Sequence, residues 1–352
     1  MSQKYVSYKT EKKLSDKIKV HFTDFPGPAN PDAMLRLLRK RHQVELDAVQ
    51  PDILFFSVFG YEFFQYEKPI RIFFTGENVH PDFNLCDYAL GFDWLTLEDR
   101  FIRCPNYLLY AEYENLLNKA RYSPEQIQEI QQRPRFCNFI YSNAKAHPFR
   151  DQLFKALHAR KSVASAGPHL NNTGFNVGSP SLGLAATCDK IDFQKECRFS
   201  LAVENSSTPG YTTEKLVHAL VADTIPIYWG DPVVGRQFNT RRFINCHEYS
   251  SVAQIVERVI EVENDPRLSA AILNEPIFPD GVVPRGLTPS AVLDAIEGIV
   301  SKPPSLARRR NPHVWGKIYE QRRQEEVRVM CCGFSKPLQW LKGKFRSVAR
   351  KV

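Results

Sequence analysis

Short, continuously apolar runs alternate with charged, helix-patterned segments along most of this chain, and the alternation occurs in two series. In the first, "KIKVHFTDF", "PDILFFSVFG", "IRIFFTGEN" and "YALGFD" read as strands. "NPDAMLRLLRKRHQV" reads as a helix, with Asn30 as its cap and Pro31 in the first helical position. Charged helical sequence follows from about 107 to 133. In the second series "RFCNFIYSN", "SVASAG", "RFSLAVEN", "IPIYWGD" and "RFINCHEY" are strands. They alternate with the helices "HPFRDQLFKALHARK", "TTEKLVHALVADT" and "SVAQIVERVIEVEN". Runs apolar at every position suit strands buried on both faces, and regular alternation with helices predicts parallel sheets. Two series predict an α/β chain of two doubly wound domains facing a cleft. The boundaries are set at 1–134, 135–301 and a tail, 302–352.

Composition narrows the class. The 352 residues are 43% hydrophobic and 24% charged, values of a globular chain. No apolar run of about 18 residues exists, and the polar start lacks the apolar centre of a secretory signal. Eight scattered cysteines, none in a C-x-x-C pair, read as reduced core thiols of a cytoplasmic protein. In that compartment the sequons at Asn171 and Asn205 carry no glycan. Net charge is +8, but residues 301–352 hold fourteen Lys/Arg against three Glu, leaving −3 for the remainder. A basic tail on a slightly acidic body argues against a nucleic-acid groove and for a tail that meets an anionic surface. Leu338, Leu341, Phe345 and Val348 recur at helical spacing among lysines and arginines. Residues 331–352 are therefore expected to lie as a basic amphipathic helix on an anionic membrane surface. "SKPPSLARRRNPH" reads as a linker to that tail.

The chemistry concentrates in "ENSSTPGYTTEKL", residues 204–216. Glu204 and Asn205 end a buried strand, where open α/β sheets present their ligand crevice. A small polar turn follows, then Tyr211, then a helix start with Glu214 and Lys215 in its first turn. Free backbone N–H groups there carry partial positive charge, so a lysine is unfavourable unless an anion binds. Tyr211 can donate a hydroxyl to such a ligand and Glu214 can accept from a sugar hydroxyl. A capped surface helix with solvated Glu214 and Lys215 fits the same spacing, and spacing alone does not choose. P-loop, dinucleotide and nucleophile-elbow patterns are absent, as are a D-x-D motif and a metal-ligand cluster.

The run "FSLAVENSSTPGYTTEKLVHALVADTIPIYWGDP" resembles the signature of the α-1,3-fucosyltransferases, glycosyltransferase family 10. "RIFFTGENVHPDFNLCDYALGFD" and "FIYSNAKAHPFRDQLFKAL" are similar to two further blocks of the bacterial members. The similar blocks run from about 70 to 250. Val203 stands where many relatives have an aromatic.

The resemblance implies a GT-B fold, with an acceptor domain at 1–134 and a donor domain at 135–301. It implies inverting transfer of L-fucose from GDP-fucose to a hydroxyl, O3 by family precedent, of N-acetylglucosamine or glucose. Carried over by residue, Glu77 is the catalytic base. Arg150 and Lys215 hold the diphosphate, Glu214 contacts the ribose, and Asn205 and Tyr211 make further donor contacts. Asn78 and Glu204 are supporting candidates. These roles are physically coherent, because an attacking hydroxyl needs a carboxylate to take its proton. A departing diphosphate also needs cations and helix amides. Against them, Glu77 reads equally as a turn-capping acid and Arg150 as a solvated helix residue. No cofactor is required, and stimulation by a divalent cation stays open. Expected partners are GDP-fucose, an oligosaccharide or lipid-linked glycan such as a lipopolysaccharide precursor, and the inner membrane face. Two rivals stay open: the same fold using another nucleotide sugar, or a non-catalytic glycan- or membrane-binding relative.

Overall fold

The computed structural model of the chain describes residues 17–177, 190–310 and 313–332. Two parallel sheets organise it, and the architecture is the two-domain GT-B arrangement. The first contains β1 (Lys17–Thr23), β2 (Gln43–Leu46), β3 (Ile53–Phe56), β4 (Ile70–Phe74), β5 (Tyr88–Gly91) and β6 (Phe101–Arg103), in the order β2-β1-β3-β4-β5-β6. The second contains β7 (Arg135–Phe139), β8 (Val163–Ser165), β9 (Cys197–Val203), β10 (Ile225–Trp229) and β11 (Ile244–Asn245), in the order β11-β10-β9-β7-β8. Position follows composition. "ILFF" of β3 and "IRIFF" of β4 are buried at every residue and lie inside the sheet. "QVEL" of β2 is exposed at both ends and forms the edge.

In the second sheet the order reverses between β7 and β9, since β8 lies to one side of β7 and β9 to the other. In open parallel sheets the crevice at such a switch point, beyond the carboxyl ends of the strands, binds ligands. The helix Phe149–Arg160 follows β7, and Glu204 follows β9.

Two expectations about local structure change. The first helix spans Ala29–Leu38 and begins after Pro28, so Asn30 lies inside the first turn and does not cap it. The segment Gln43–Val44, read as the end of that helix, instead opens β2, paired in parallel with Lys17–Val20. An edge strand half exposed to solvent lacks the apolar run that marks β3 and β4, and sheet pairing overrides its helical pattern.

The segment read as a linker is fastened down. Helix Pro289–Val300 places Val292, Leu293, Ile296 and Ile299 in the same apolar cluster as Met34 and Leu37 of the first helix. Arg309 and Lys302 pair with Asp99, and Arg309 also pairs with Glu98 at 2.6 Å. The backbone N–H groups of Arg309 and Arg310 donate to Asp87 Oδ1 at 2.8 and 2.9 Å. Arg310 Nε lies 3.0 Å from Asp87 Oδ2, an ion pair by charge although its N–H is not aligned as a donor. Further on, helix Val314–Cys332 pairs Glu320 with the buried Arg71 at 2.6 Å. Residues 333–352, which carry the expected amphipathic pattern, lie outside the described residues. Five cysteines, at 86, 104, 137, 197 and 246, are buried free thiols.

Asp87 is fully buried and also accepts the Arg71 N–H at 2.8 Å. Asp87→Ala removes one partner of a buried charge pair and should destabilise the fold by about 3–5 kcal/mol. A urea midpoint close to that of the unmutated chain would contradict this. Asp87→Asn, which keeps the acceptor oxygen but not the charge, should fall between the two.

Candidate active site

β9 delivers two polar residues to the crevice. Glu204 prolongs the strand pairing by one residue, donating its N–H to Trp229 O at 2.8 Å, and its side chain is fully buried. The carboxylate turns to the start of helix Glu214–Val221. It accepts from Thr213 N at 2.7 Å, from Thr213 Oγ1 at 2.7 Å and from Lys215 Nζ at 3.0 Å. Thr213 is the residue before the helix, and its own side chain makes no capping bond. Glu204 therefore acts as the cap from nine residues away, satisfying a free N–H and neutralising a lysine. The anion that the lysine in the first turn calls for is supplied first by the chain itself. Gly230 makes room for it, since a Cβ there would sit 2.3 Å from Glu204 Cγ.

A second buried carboxylate shapes the turn between them. Asp231 accepts from Gly210 N and Val233 N, both at 2.8 Å, and from Gln237 Nε2 at 2.8 Å. Gly210 has φ +90°, and a Cβ there would come 2.4 Å from Phe92 O. Glycine alone meets both demands.

Charge around the helix start is dense. Burial works against the Lys215 ammonium, but Glu204 and then Glu214 outweigh it and hold the amine well above its ordinary value. Burial pushes the Glu204 carboxyl up, against the pull of Lys215. For Glu214 the opposing charges of Lys215 and Lys190 overcome burial and hold the carboxyl far below its usual range. Lys190, which opens the helical stretch 190–195, is lowered by burial and adds a further cation to the cluster. His218, one turn along the helix, is 2% exposed, and neither ring nitrogen has a hydrogen-bond partner.

Arg150 lies in the first turn of helix Phe149–Arg160 and is buried, so it is not a solvated surface residue. Its Nη1 donates to Asn205 Oδ1 at 3.2 Å, its Nη2 donates to Asn143 O, and its guanidinium lies 4.4 Å from the Tyr141 ring centre. Its Nε is buried with no hydrogen-bond partner. Burial lowers its pKa, though a guanidinium stays charged in proteins. The Lys215 side chain is 14% exposed, which sets aside the solvated-lysine alternative as well.

The first domain closes on this site through the loop after β4. Asn78 Nδ2 lies 2.7 Å from both Ser206 Oγ and Thr208 Oγ1. Tyr211 donates its hydroxyl to Gly76 O at 3.3 Å, and its ring meets Phe92 edge-on at 5.1 Å. Glu77 thus sits between two residues that touch the second domain. Its N–H donates to Thr75 Oγ1 at 3.1 Å, while its carboxylate has no hydrogen-bond partner among the described residues. It is close enough to Tyr211 for its charge to contribute to the raised phenol pKa, which burial dominates.

Every residue singled out in the sequence, namely Glu77, Asn78, Arg150, Glu204, Asn205, Tyr211, Glu214 and Lys215, falls in this connected region. Sequence reasoning missed Asp231, Lys190 and His218. Asp231 lies inside the "YWGDP" run and was within reach; Lys190 and His218 carry no local signal.

His218 makes the pH dependence of stability testable. Burial, aided by Lys190, depresses its pKa to about 3. The unfolded chain therefore binds a proton near pH 6.5 that the folded chain refuses. Its contribution is fully present above about pH 6.5 and is lost as the pH falls through the interval down to about 3. From pH 6.5 to 5 the loss should approach 2 kcal/mol. Urea titrations of the unmutated chain and of His218→Phe should diverge over that interval, with the shallower slope in the variant.

Residues 20–110 match the alpha-(1,3)-fucosyltransferase FucT N-terminal domain, and residues 130–270 match the glycosyltransferase family 10 (fucosyltransferase) C-terminal region. Together the two matches take in about two thirds of the chain. Similarity extends to the alpha-(1,3)-fucosyltransferase FucT of Helicobacter pylori, with 31% identity over 227 residues, 55% of this chain and 44% of that protein. A putative fucosyltransferase of Acanthamoeba polyphaga mimivirus is 28% identical over 188 residues, 53% of this chain and 28% of that protein. The chain thus spans less than half the length of these curated relatives. A crystal structure of an alpha1,3-fucosyltransferase with GDP superposes with a TM-score of 0.68 at 25% identity, over 88% of this chain and 96% of that one. The same enzyme class with GDP-fucose gives a TM-score of 0.66 at 25% identity, over 86% and 94%. With both halves of the family matched, this chain belongs to glycosyltransferase family 10, the fucosyltransferases.

Proposed function

We propose that the chain transfers L-fucose from GDP-fucose, with inversion, to a hydroxyl of N-acetylglucosamine or glucose, O3 being the position favoured by its α-1,3 relatives. One observation carries the donor side. Two largely covered cations flank the crevice, and neither commits all of its N–H donors. An ammonium has three protons, and Lys215 commits two, to Glu204 and Thr213 Oγ1. Arg150 commits two of its five N–H groups, to Asn205 Oδ1 and Asn143 O. A diphosphate can therefore engage both without dismantling the internal network. Crystallised relatives bound to GDP and GDP-fucose support the choice of nucleotide.

In this reading Glu77 takes the proton of the acceptor hydroxyl as its oxygen attacks the anomeric carbon. The carbon–oxygen bond to GDP breaks on the opposite face. Lys215 and Arg150 stabilise the charge that GDP carries away. Glu214 receives hydrogen bonds from the ribose, and Asn205 and Tyr211 border the donor. The acceptor is a glycan, in our reading a lipid-linked one such as a lipopolysaccharide precursor, met at the inner face of the membrane. Support for the membrane is the cationic sequence of 331–352. The arginines at 309 and 310 do not contribute, because first-domain carboxylates already pair with them. No helix among the described residues is long and apolar enough to cross a membrane.

Lys215→Met alone would leave Glu204 buried and unpaired, so the donor test uses the double variant Lys215→Met/Glu204→Gln. It should bind GDP at least tenfold more weakly by calorimetry, the loss expected for a charge-assisted bond. Unchanged affinity in a folded double variant would refute the donor site. Glu77→Gln should lower kcat by a factor of 100 or more while GDP affinity holds. Removing residues 333–352 should release the chain from anionic vesicles in sedimentation without loss of transfer to soluble acceptors, and retained sedimentation would end the membrane proposal.

A further inference from the structure

Three residues beyond Glu77, His80 forms a dyad with Asp93. Its Nδ1 lies 2.6 Å from Asp93 Oδ1. An ionised carboxylate can only accept, so Nδ1 carries a proton, and in the neutral ring Nε2 keeps its lone pair. Asp93 is mostly covered, at 17% side-chain exposure, while His80 is 62% exposed. The pair thus holds a fixed imidazole with its accepting edge turned outward.

Its position relates it to the cleft. Val79 N donates to Glu77 O at 2.9 Å, closing a tight turn that keeps His80 near Glu77. The His80 ring packs 5.6 Å from Phe92, whose other neighbour is Tyr211 at 5.1 Å. The dyad therefore stands on the first-domain side of the cleft, one aromatic ring away from the donor turn. Exposed Val79, Trp94 and Leu95 flank it in the chain. A single oriented hydrogen-bond acceptor among exposed apolar side chains suits a sugar, which offers apolar C–H faces edged with hydroxyls. Among the described residues no hydrogen bond uses the His80 Nε2.

We propose that His80, oriented by Asp93, is an acceptor-binding residue. Its Nε2 accepts a hydrogen bond from a hydroxyl or acetamido N–H of the sugar whose neighbouring hydroxyl Glu77 deprotonates. The inference rests on the transferase reading above and extends it to acceptor recognition. Asp93 is the positioning residue, because its carboxylate fixes which ring nitrogen accepts.

Two variants separate this role from packing. His80→Phe keeps a ring against Phe92 and removes the acceptor. Asp93→Asn keeps the shape of the contact to Nδ1 but, with both an amide donor and a carbonyl acceptor, no longer fixes which ring nitrogen carries the proton. Initial rates with GDP-fucose and either N-acetyllactosamine or chitobiose as the varied substrate give the readout. Both variants should raise the KM for the sugar roughly tenfold and leave the KM for GDP-fucose and the calorimetric GDP affinity within twofold. A sugar KM within twofold of the unmutated chain in His80→Phe would overturn the inference alone. Parallel rises in both KM values would assign the dyad to structure and overturn it as well. Transfer by the unmutated chain to neither sugar, with GDP-fucose intact, would bring down the acceptor class and this inference together.

Discussion

The buried carboxylate of Glu204 is the interaction on which the rest of the site depends. It ends β9, caps the helix Glu214–Val221, and fixes Lys215 in one place. A carboxylate removed from water is costly unless hydrogen-bonded and paired. Here three donors meet it, two from Thr213 and one from Lys215. The result is a strand end and a helix start locked together, with the intervening turn held by Asp231. A cation held this way would need little reordering to meet an anionic ligand, the preorganisation that electrostatic stabilisation requires.

The same helix also joins the two domains. Leu216, Val217, Ala219 and Leu220 belong to the apolar cluster that includes Met34, Leu37 and Tyr113 of the first domain. Its amino end thus meets Glu204 in the crevice while its flank serves the interface. Asn78 adds a polar tie, reaching Ser206 and Thr208 from the residue next to Glu77. Glu77 and the turn at 205–213 are set relative to each other by direct contacts, not by two domains positioned independently.

How legible this was depends on range. β3 and β4 could be read because every side chain is buried, which writes an unbroken apolar run into the sequence. β2 could not, because an edge strand with a half-exposed face looks like the end of a helix. The meeting of Arg150 with Asn205, 55 positions apart, has no local signature, and the family resemblance was the only route to it. Lys215 was singled out correctly as an oddity, yet the first anion it meets is Glu204, eleven residues back. The free helix amides point to an anion from outside the chain, whereas the one they meet is internal. His218 and Lys190 were invisible because their surroundings come from tertiary packing alone.

The return of residues 289–310 and 313–320 to the first sheet carries a practical consequence for dissecting this protein. A fragment that stops at 301 does not lose an appendage. It strips Asp87 and Arg71 of the partners that neutralise them. The first domain is discontinuous in sequence, assembled from the beginning of the chain and from its later part. Neither half should be expected to mature alone, and a nascent chain must extend past residue 320 before its amino-terminal sheet is sealed.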